Sequence, residues 1–179
     1  MLTRQDLEHL QQQNPDYRME LIDGQVRVMS PSGYESDEVA AEVTRLLGNW
    51  VRPRKLGRIT GSSAGFDLPE LGVRAPDASF VTAERLRRAP RSFAQLVPDL
   101  MVEVKSPSDS VEALEAKIMR FLELGAQVGI LINPEAETVR LYRFNQVVES
   151  LTSSDLLTVP ELLPGWEVRV SDLWSPVFE

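Results

Sequence analysis

Apolar residues at Val39, Val43, Leu46, Leu47 and Trp50 recur at offsets of 4, 7, 8 and 11, the spacing that lines one face of an α-helix. This stretch is predicted as an amphipathic helix ended by Pro53, since proline removes a backbone donor and crowds the preceding turn. A second stripe, Val111, Leu114, Ile118, Phe121 and Leu122, follows Ser106-Pro107-Ser108-Asp109-Ser110 and stops at Gly125, a strand stop and helix start before it and a helix terminator after it. A short helix from Thr3 to Gln13 is opened by Thr3 with Asp6 and closed by Asn14-Pro15.

Between the helices the pattern is that of strands. Tyr17 to Ile22 and Gln25 to Met29 flank Asp23-Gly24, a two-residue turn signal that predicts a hairpin. Strands are expected over Arg58 to Phe66 and Val73 to Val81, joined by the turn Leu68-Pro69-Glu70-Leu71-Gly72. Leu100 to Val104 is a compact apolar strand interrupted by Glu103. Val128 to Asn133 and Thr138 to Phe144 pair around Pro134-Glu135-Ala136-Glu137, with a third strand near Val147 to Leu151 and a final segment from Trp166 to Val170. The order of elements implies an α/β (mixed α+β) fold, a mixed sheet flanked by helices, and residues 1–179 suit one domain.

Composition narrows the chemistry. With no cysteine, thiolate nucleophiles, disulfides and cysteine-bound metals are excluded. His9 is the only histidine and lies in the first helix, which argues against a Ser-His-Asp triad or a multi-histidine metal cage. Carboxylates, lysines, arginines and hydroxyls remain, an inventory suited to hard cations such as Mg²⁺ or Mn²⁺. No apolar run approaches the ~20 residues a membrane helix needs, so the expectation is a cytoplasmic protein without a membrane partner. The formal charge of −8 opposes general binding to nucleic acid, because affinity for a polyanion comes from Lys and Arg displacing counterions. Local basic patches would have to compensate. Two candidates are Arg52, Arg54, Lys55 and Arg58, and Arg85, Arg87, Arg88 and Arg91, each of which also suits an ordinary solvated surface.

Alternation along the strand places Glu103 and Lys105 on one face, with Leu100, Val102 and Val104 on the other. A glutamate in so apolar a strand must be hydrogen-bonded, ion-paired or bound to a metal, and on these two residues alone a structural ion pair is the ordinary reading. Asp77 adds a second acid on another apolar strand, after Pro76. Strands ~4.8 Å apart let two such carboxylates reach one cation. The second Pro-Asp, Pro98-Asp99, is a decoy, because Asp99 lies about 13 Å along the strand from Glu103.

Pro76-Asp77, 25 intervening residues and Glu103-Val104-Lys105 resemble the PD-(D/E)xK nuclease motif. Over nearly its whole length the chain resembles the Uma family of bacterial restriction endonuclease-like proteins. The matching stretches are Met19 to Gly24, Met29-Ser30-Pro31, Arg74 to Val81, Pro98 to Val104 with Ser106 to Asp109, and Lys117 to Asn133. The resemblance implies a restriction-endonuclease-like core, Mg²⁺ or Mn²⁺ held by Asp77 and Glu103, a catalytic lysine, DNA as substrate and a homo-oligomer, dimer or higher. Motif spacing favours Lys105; Lys117 corresponds to a lysine that relatives keep in the following helix, although it falls about 90° from the centre of that helix's apolar face. Glu20 matches a family glutamate and is a further candidate ligand or water-orienting group, or the cross-strand partner of Arg27. Glu38 and Glu42 are alternative acids. Ser36 stands where relatives often carry histidine, and Ala113 where an acid is common. The competing readings are a non-catalytic binding or scaffold protein on the same fold and a hydrolase of a small nucleotide or phosphate ester.

Overall fold

The computed structural model describes residues 1–178. Helix α1 (Arg4–Gln13) begins with a reciprocal cap: Thr3 accepts from the Asp6 amide, and the Asp6 side chain accepts from Thr3, satisfying donors that a helix start leaves open. Strands β1 (Arg18–Ile22) and β2 (Gln25–Met29) form the expected hairpin. Asp23 and Gly24 both take positive φ at its turn, as a type I′ turn requires. Helix α2 (Tyr34–Arg54) runs past the expected stop: Pro53 sits in its last turn and the helix ends at Lys55, in the left-handed region. So close to the end, the proline removes one bond from a ladder that is terminating anyway.

The two strands expected between Arg58 and Val81 are each divided. Strand β3 (Gly57–Gly61) and β4 (Phe66–Leu68) are separated by Ser62 to Gly65, and β5 (Gly72–Arg74) and β6 (Ala78–Thr82) by Ala75-Pro76-Asp77. Strands β4 and β5 make their own small hairpin, because Pro76 cannot donate to a ladder. Strand β7 (Leu100–Val104), helix α3 (Val111–Glu123) and β8 (Val128–Asn133) make a crossover unit in which β7 and β8 run parallel. Strands β9 (Thr138–Tyr142) and β10 (Glu149–Thr152) extend the sheet antiparallel. Strands β11 (Leu156–Thr158) and β12 (Glu167–Arg169) form a further small pair leading into a 3₁₀ turn, Val170–Leu173; the strand at β11 was not anticipated. The main sheet has the order β10-β9-β8-β7-β6-β3, a mixed sheet flanked by helices as the pattern implied.

Its two faces are covered differently. On one, Val39, Val43 and Leu47 of α2 pack with Phe80, Leu100, Val102, Ile130, Leu163 and Val170. On the other, Ile118, Phe121 and Leu122 of α3 pack with Val81, Met101 and Leu131. Each fully buried aliphatic side chain contributes about 1.5–3 kcal/mol, so both helices are fixed to the sheet. Helix α3 approaches closely because Gly129 of β8 lies beneath Ile118, where a Cβ would collide with the isoleucine side chain. A third cluster, Leu7, Leu21 and Val73 with Met19 and Val26, seats the β1–β2 hairpin on α1 and β5.

Candidate active site

Residues Ala78 and Val102 are register partners of the antiparallel β6–β7 pair, and one step further that register opposes Asp77 to Glu103. The ladder there is continued by a side chain: Asp77 Oδ2 accepts the Val104 amide at 2.8 Å. Glu103 points to the α3 face of the sheet, away from Leu100, Val102 and Val104. It is 4% exposed, so it meets Lys117, whose Nζ comes within 2.8 Å of Glu103 Oε1. Lys117 is the cation facing this buried oxygen, and it helps to hold Glu103 charged against burial. Lys117 Nζ also donates to the Ala75 carbonyl at 3.3 Å, which ties the helix to the loop carrying Asp77.

Burial sets the electrostatics. Loss of water pushes Glu103 up to about 8; the Lys117 ammonium opposes the shift and the Asp77 carboxylate adds to it. Asp77 is raised by the same desolvation, partly offset by the Val104 amide, Lys117 and Arg18. For Lys117 desolvation pulls downward, but Glu103, Glu20 and Asp77 outweigh it and hold the ammonium above its ordinary value. These are adjacent acids whose environment resists charge, beside a cation kept charged.

Asp77, Glu103, Lys117 and Glu20 all line one cleft of about 520 Å³ between the β1–β2 hairpin, the start of α2 and α3. Lys105 does not. The alternation that was to place it beside Glu103 ends with the strand at Val104: the Lys105 amide bonds to the Ile132 carbonyl, and its Nζ turns to Glu135, 3.2 Å away, and the Ser106 carbonyl. The lysine favoured by motif spacing is thus displaced by the one on the helix, whose flank position lets its stem lie along apolar surface and its head reach the sheet.

Glu20 is buried and faces Arg27 in register as expected. Its bonds go elsewhere: Oε1 accepts the Ala75 amide at 3.0 Å, and Oε2 lies 3.9 Å from Arg74. Through the Ala75 amide Glu20 braces the Asp77 loop beside the acidic pair; among the described residues no group of three or more His, Cys, Asp and Glu is placed to hold a metal ion together. Glu42 is bound to Arg45 and Glu38 to Ser175, and neither lines the cleft. Asp99 accepts from the Thr82 amide, Arg85 and Gln127, a buried structural knot as its distance from Glu103 foretold. Both basic patches are partly absorbed into the fold, for Arg58 donates to the Leu86 and Arg87 carbonyls, Arg85 pairs with Asp99, and Arg54 stacks on Trp50.

Four arginines also line the cleft, Arg18, Arg27, Arg74 and Arg120, of which only Arg27 has a role legible in the sequence, as the cross-strand partner of Glu20. Burial lowers Arg74 despite the neighbouring Glu20. A signal was present: side chains of paired strands share faces in register, which puts Arg18 and Arg27 on the side of the hairpin that carries Glu20.

The donor set fits a small hard cation. Two carboxylates opposed in register, Asp77 just before β6 and Glu103 on β7, line an open cleft of about 520 Å³, which leaves room for the waters and phosphate oxygens that Mg²⁺ keeps around it. Fold and residues together define a restriction-endonuclease-like protein. The chain belongs to the Uma2 family, whose description is "Putative restriction endonuclease" and whose model matches residues 4–171. The crystal structure of "a putative nuclease belonging to DUF820" from Anabaena variabilis superposes with a TM-score of 0.81 at 24% identity, covering 97% of each chain, and shows the same fold. A cryo-EM structure of DrdV with DNA has a TM-score of 0.37 and 9% identity over 64% of this chain and 12% of that one, too slight a likeness to argue from. No curated protein matches the chain. No helix among the described residues is long and apolar enough to cross a membrane.

Proposed function

We propose that the protein is a divalent-metal-dependent endonuclease that hydrolyses DNA phosphodiester bonds. Asp77 and Glu103 hold Mg²⁺ or Mn²⁺, and Lys117 is the catalytic cation. One observation carries the reading: Asp77, just before β6, and Glu103 on β7 share an open cleft with the Lys117 ammonium, 2.8 Å from the buried Glu103 carboxylate. A divalent ion bound there supplies Lewis acidity toward a phosphate oxygen and makes a water acidic enough to attack near neutral pH. Lys117 places a fixed positive charge where the phosphate gains negative charge, in surroundings poor in water where such a charge counts most. Glu20 and the Ala75 carbonyl fix the loop and the ammonium relative to each other.

Nicking of supercoiled plasmid by the full chain in Mg²⁺ or Mn²⁺, abolished by EDTA and lost in both Asp77→Ala and Glu103→Ala, is the expected result. Cleavage that survives either substitution would overturn the assignment. DNA binding without cleavage at any metal concentration would favour the scaffold reading, and turnover of nucleotides but not polymer the small-substrate one.

The site also predicts how metal affinity follows pH. With Glu103 pushed up to about 8, the metal-free protein carries its proton at neutral pH, and an arriving ion must displace it. Below that value the apparent Mn²⁺ affinity is expected to rise by up to about tenfold per pH unit and to level off above it. Calorimetry at pH 7 in buffers of different ionisation enthalpy reads the released proton directly. An affinity that stays flat across this range would mean that Glu103 is already ionised.

A further inference from the structure

The β1–β2 hairpin forms a wall of the cleft with one whole face. Arg18, Glu20, Ile22, Arg27 and Met29 line the cavity, while Met19, Leu21 and Val26 of the opposite face are committed to the small core with Leu7 and Val73. The strand register fixes this: Glu20 pairs with Arg27 and Arg18 with Met29, so Arg18 and Arg27 are diagonal neighbours on the cleft side, with roughly 7–8 Å between them. Rotation of the hairpin would unpack its apolar face, so the arginine pair is held in place.

Neither arginine is neutralised. Among the described residues the ion pairs include no partner for Arg18 or Arg27. Arg18 reaches over the cleft mouth to the Ser62 carbonyl and is close enough to Asp77 to favour its charged form. Arg27 stands near enough to the half-buried Arg74 to repel it. Three guanidiniums are therefore gathered at one end of the cleft in a chain whose net charge is −8. An anion between them would relieve the repulsion and replace the carbonyl that Arg18 now holds.

We infer that Arg18 and Arg27 grip the backbone of a nucleic-acid strand, binding phosphates adjacent to the scissile one and so making the substrate a polymer rather than a free nucleotide. This deepens the nuclease reading and rests on it for the position of the scissile phosphate. The guanidinium forks suit phosphate oxygens; Arg18 stands near Asp77 and Arg27 lies one diagonal register step from Arg18, so a strand continuing past the reacting bond can engage both. The basic surface around Arg87 and Arg88 lies on a different part of the molecule and is the competing track.

Binding and turnover separate these ideas. The probe is a fluorescein-labelled oligonucleotide with the full chain in Ca²⁺, titrated at several salt concentrations. Arg18→Ala/Arg27→Ala is expected to weaken binding about tenfold or more and to reduce the salt slope by about two charges, one per lost phosphate contact. In Mn²⁺ the double variant is expected to raise KM for the oligonucleotide far more than KM for bis(p-nitrophenyl) phosphate, a small diester that spans only the reacting position. Unchanged affinity and salt slope, or a loss produced by Arg87→Ala/Arg88→Ala and not by the hairpin variant, would overturn the inference. If the wild type cleaves neither substrate but the hairpin variant still loses binding, the nuclease reading falls and the backbone grip stands. If cleavage is normal and KM does not move, the grip falls and the nuclease stands.

Discussion

Replacing Lys117 with methionine is expected to cut Mn²⁺-dependent cleavage by about 10²–10³-fold, the scale of losing one fixed donor at a site of developing charge. Lys105→Met is expected to leave it within about twofold. Both lysines follow the same glutamate in sequence, and the nearer in sequence is not the nearer in space: Lys117 Nζ is 2.8 Å from Glu103, whereas Lys105 Nζ is engaged with Glu135. Methionine fills the space of the lysine stem, so packing of α3 is kept. The neutral, protonated form of Glu103, already favoured by burial, spares the variant an unpaired buried charge. A thermal melt within a few degrees of the wild type alongside the kinetic loss would confirm that the effect is chemical. Equal losses in both variants, or none in Lys117→Met, would return the role to Lys105 or to neither.

The second large contrast lies between two Pro-Asp dipeptides of identical appearance. Asp77→Asn is expected to abolish cleavage without loss of stability, and Asp99→Asn to do the reverse. Desolvation raises Asp77 above its ordinary value, so the native state binds that proton more tightly than the unfolded chain does. Its contribution to stability is present while the group is protonated and is lost as pH rises through the raised value. Asparagine removes that penalty and can still accept the Val104 amide, so its Tm at pH 8 is expected to match or exceed that of the wild type. Asp99 is 1% exposed and accepts from three donors, the Thr82 amide, Arg85 and Gln127. An amide there turns its NH₂ toward other donors and loses the charge that Arg85 pairs with, at a cost of about 2–4 kcal/mol, or roughly 5–15 °C in Tm for a chain of this size. The folded fraction of Asp99→Asn is expected to retain its Mn²⁺ affinity. A destabilised Asp77→Asn would mean that the carboxylate holds the fold together and not an ion.

What the chain betrayed before folding, and what it hid, divides along the reach of each interaction. The hairpin at Asp23-Gly24, the capped first helix and the crossover helix ending at Gly125 depend on neighbours a few positions apart, and their boundaries came out within a residue or two. Strands expected to run through Ser62 to Gly65 and through Ala75-Pro76-Asp77 were divided, because hydrophobic alternation continues across breaks that only the ladder partners enforce. The acids Asp77 and Glu103 were legible because each is costly in its apolar strand. Which of the two candidate lysines enters the cleft stays open in the sequence, for the position of Lys117 depends on where α3 docks, a property of the sheet and not of the helix. Arg18 drew no reading and Arg27 only that of an ion-pair partner, because a surface arginine on a hairpin is ordinary until its face is known to line a cleft.

That docking turns on Gly129, the β8 residue under Ile118. A hydrogen atom there, where any other residue type carries carbon, decides how low the crossover helix rides over the sheet. The gap separating ammonium from carboxylate is therefore governed from a position that has no functional group and touches no reactant. Drift at that residue would shift the ammonium against the acids mechanically, while Asp77, Glu103 and Lys117 all remained in the sequence.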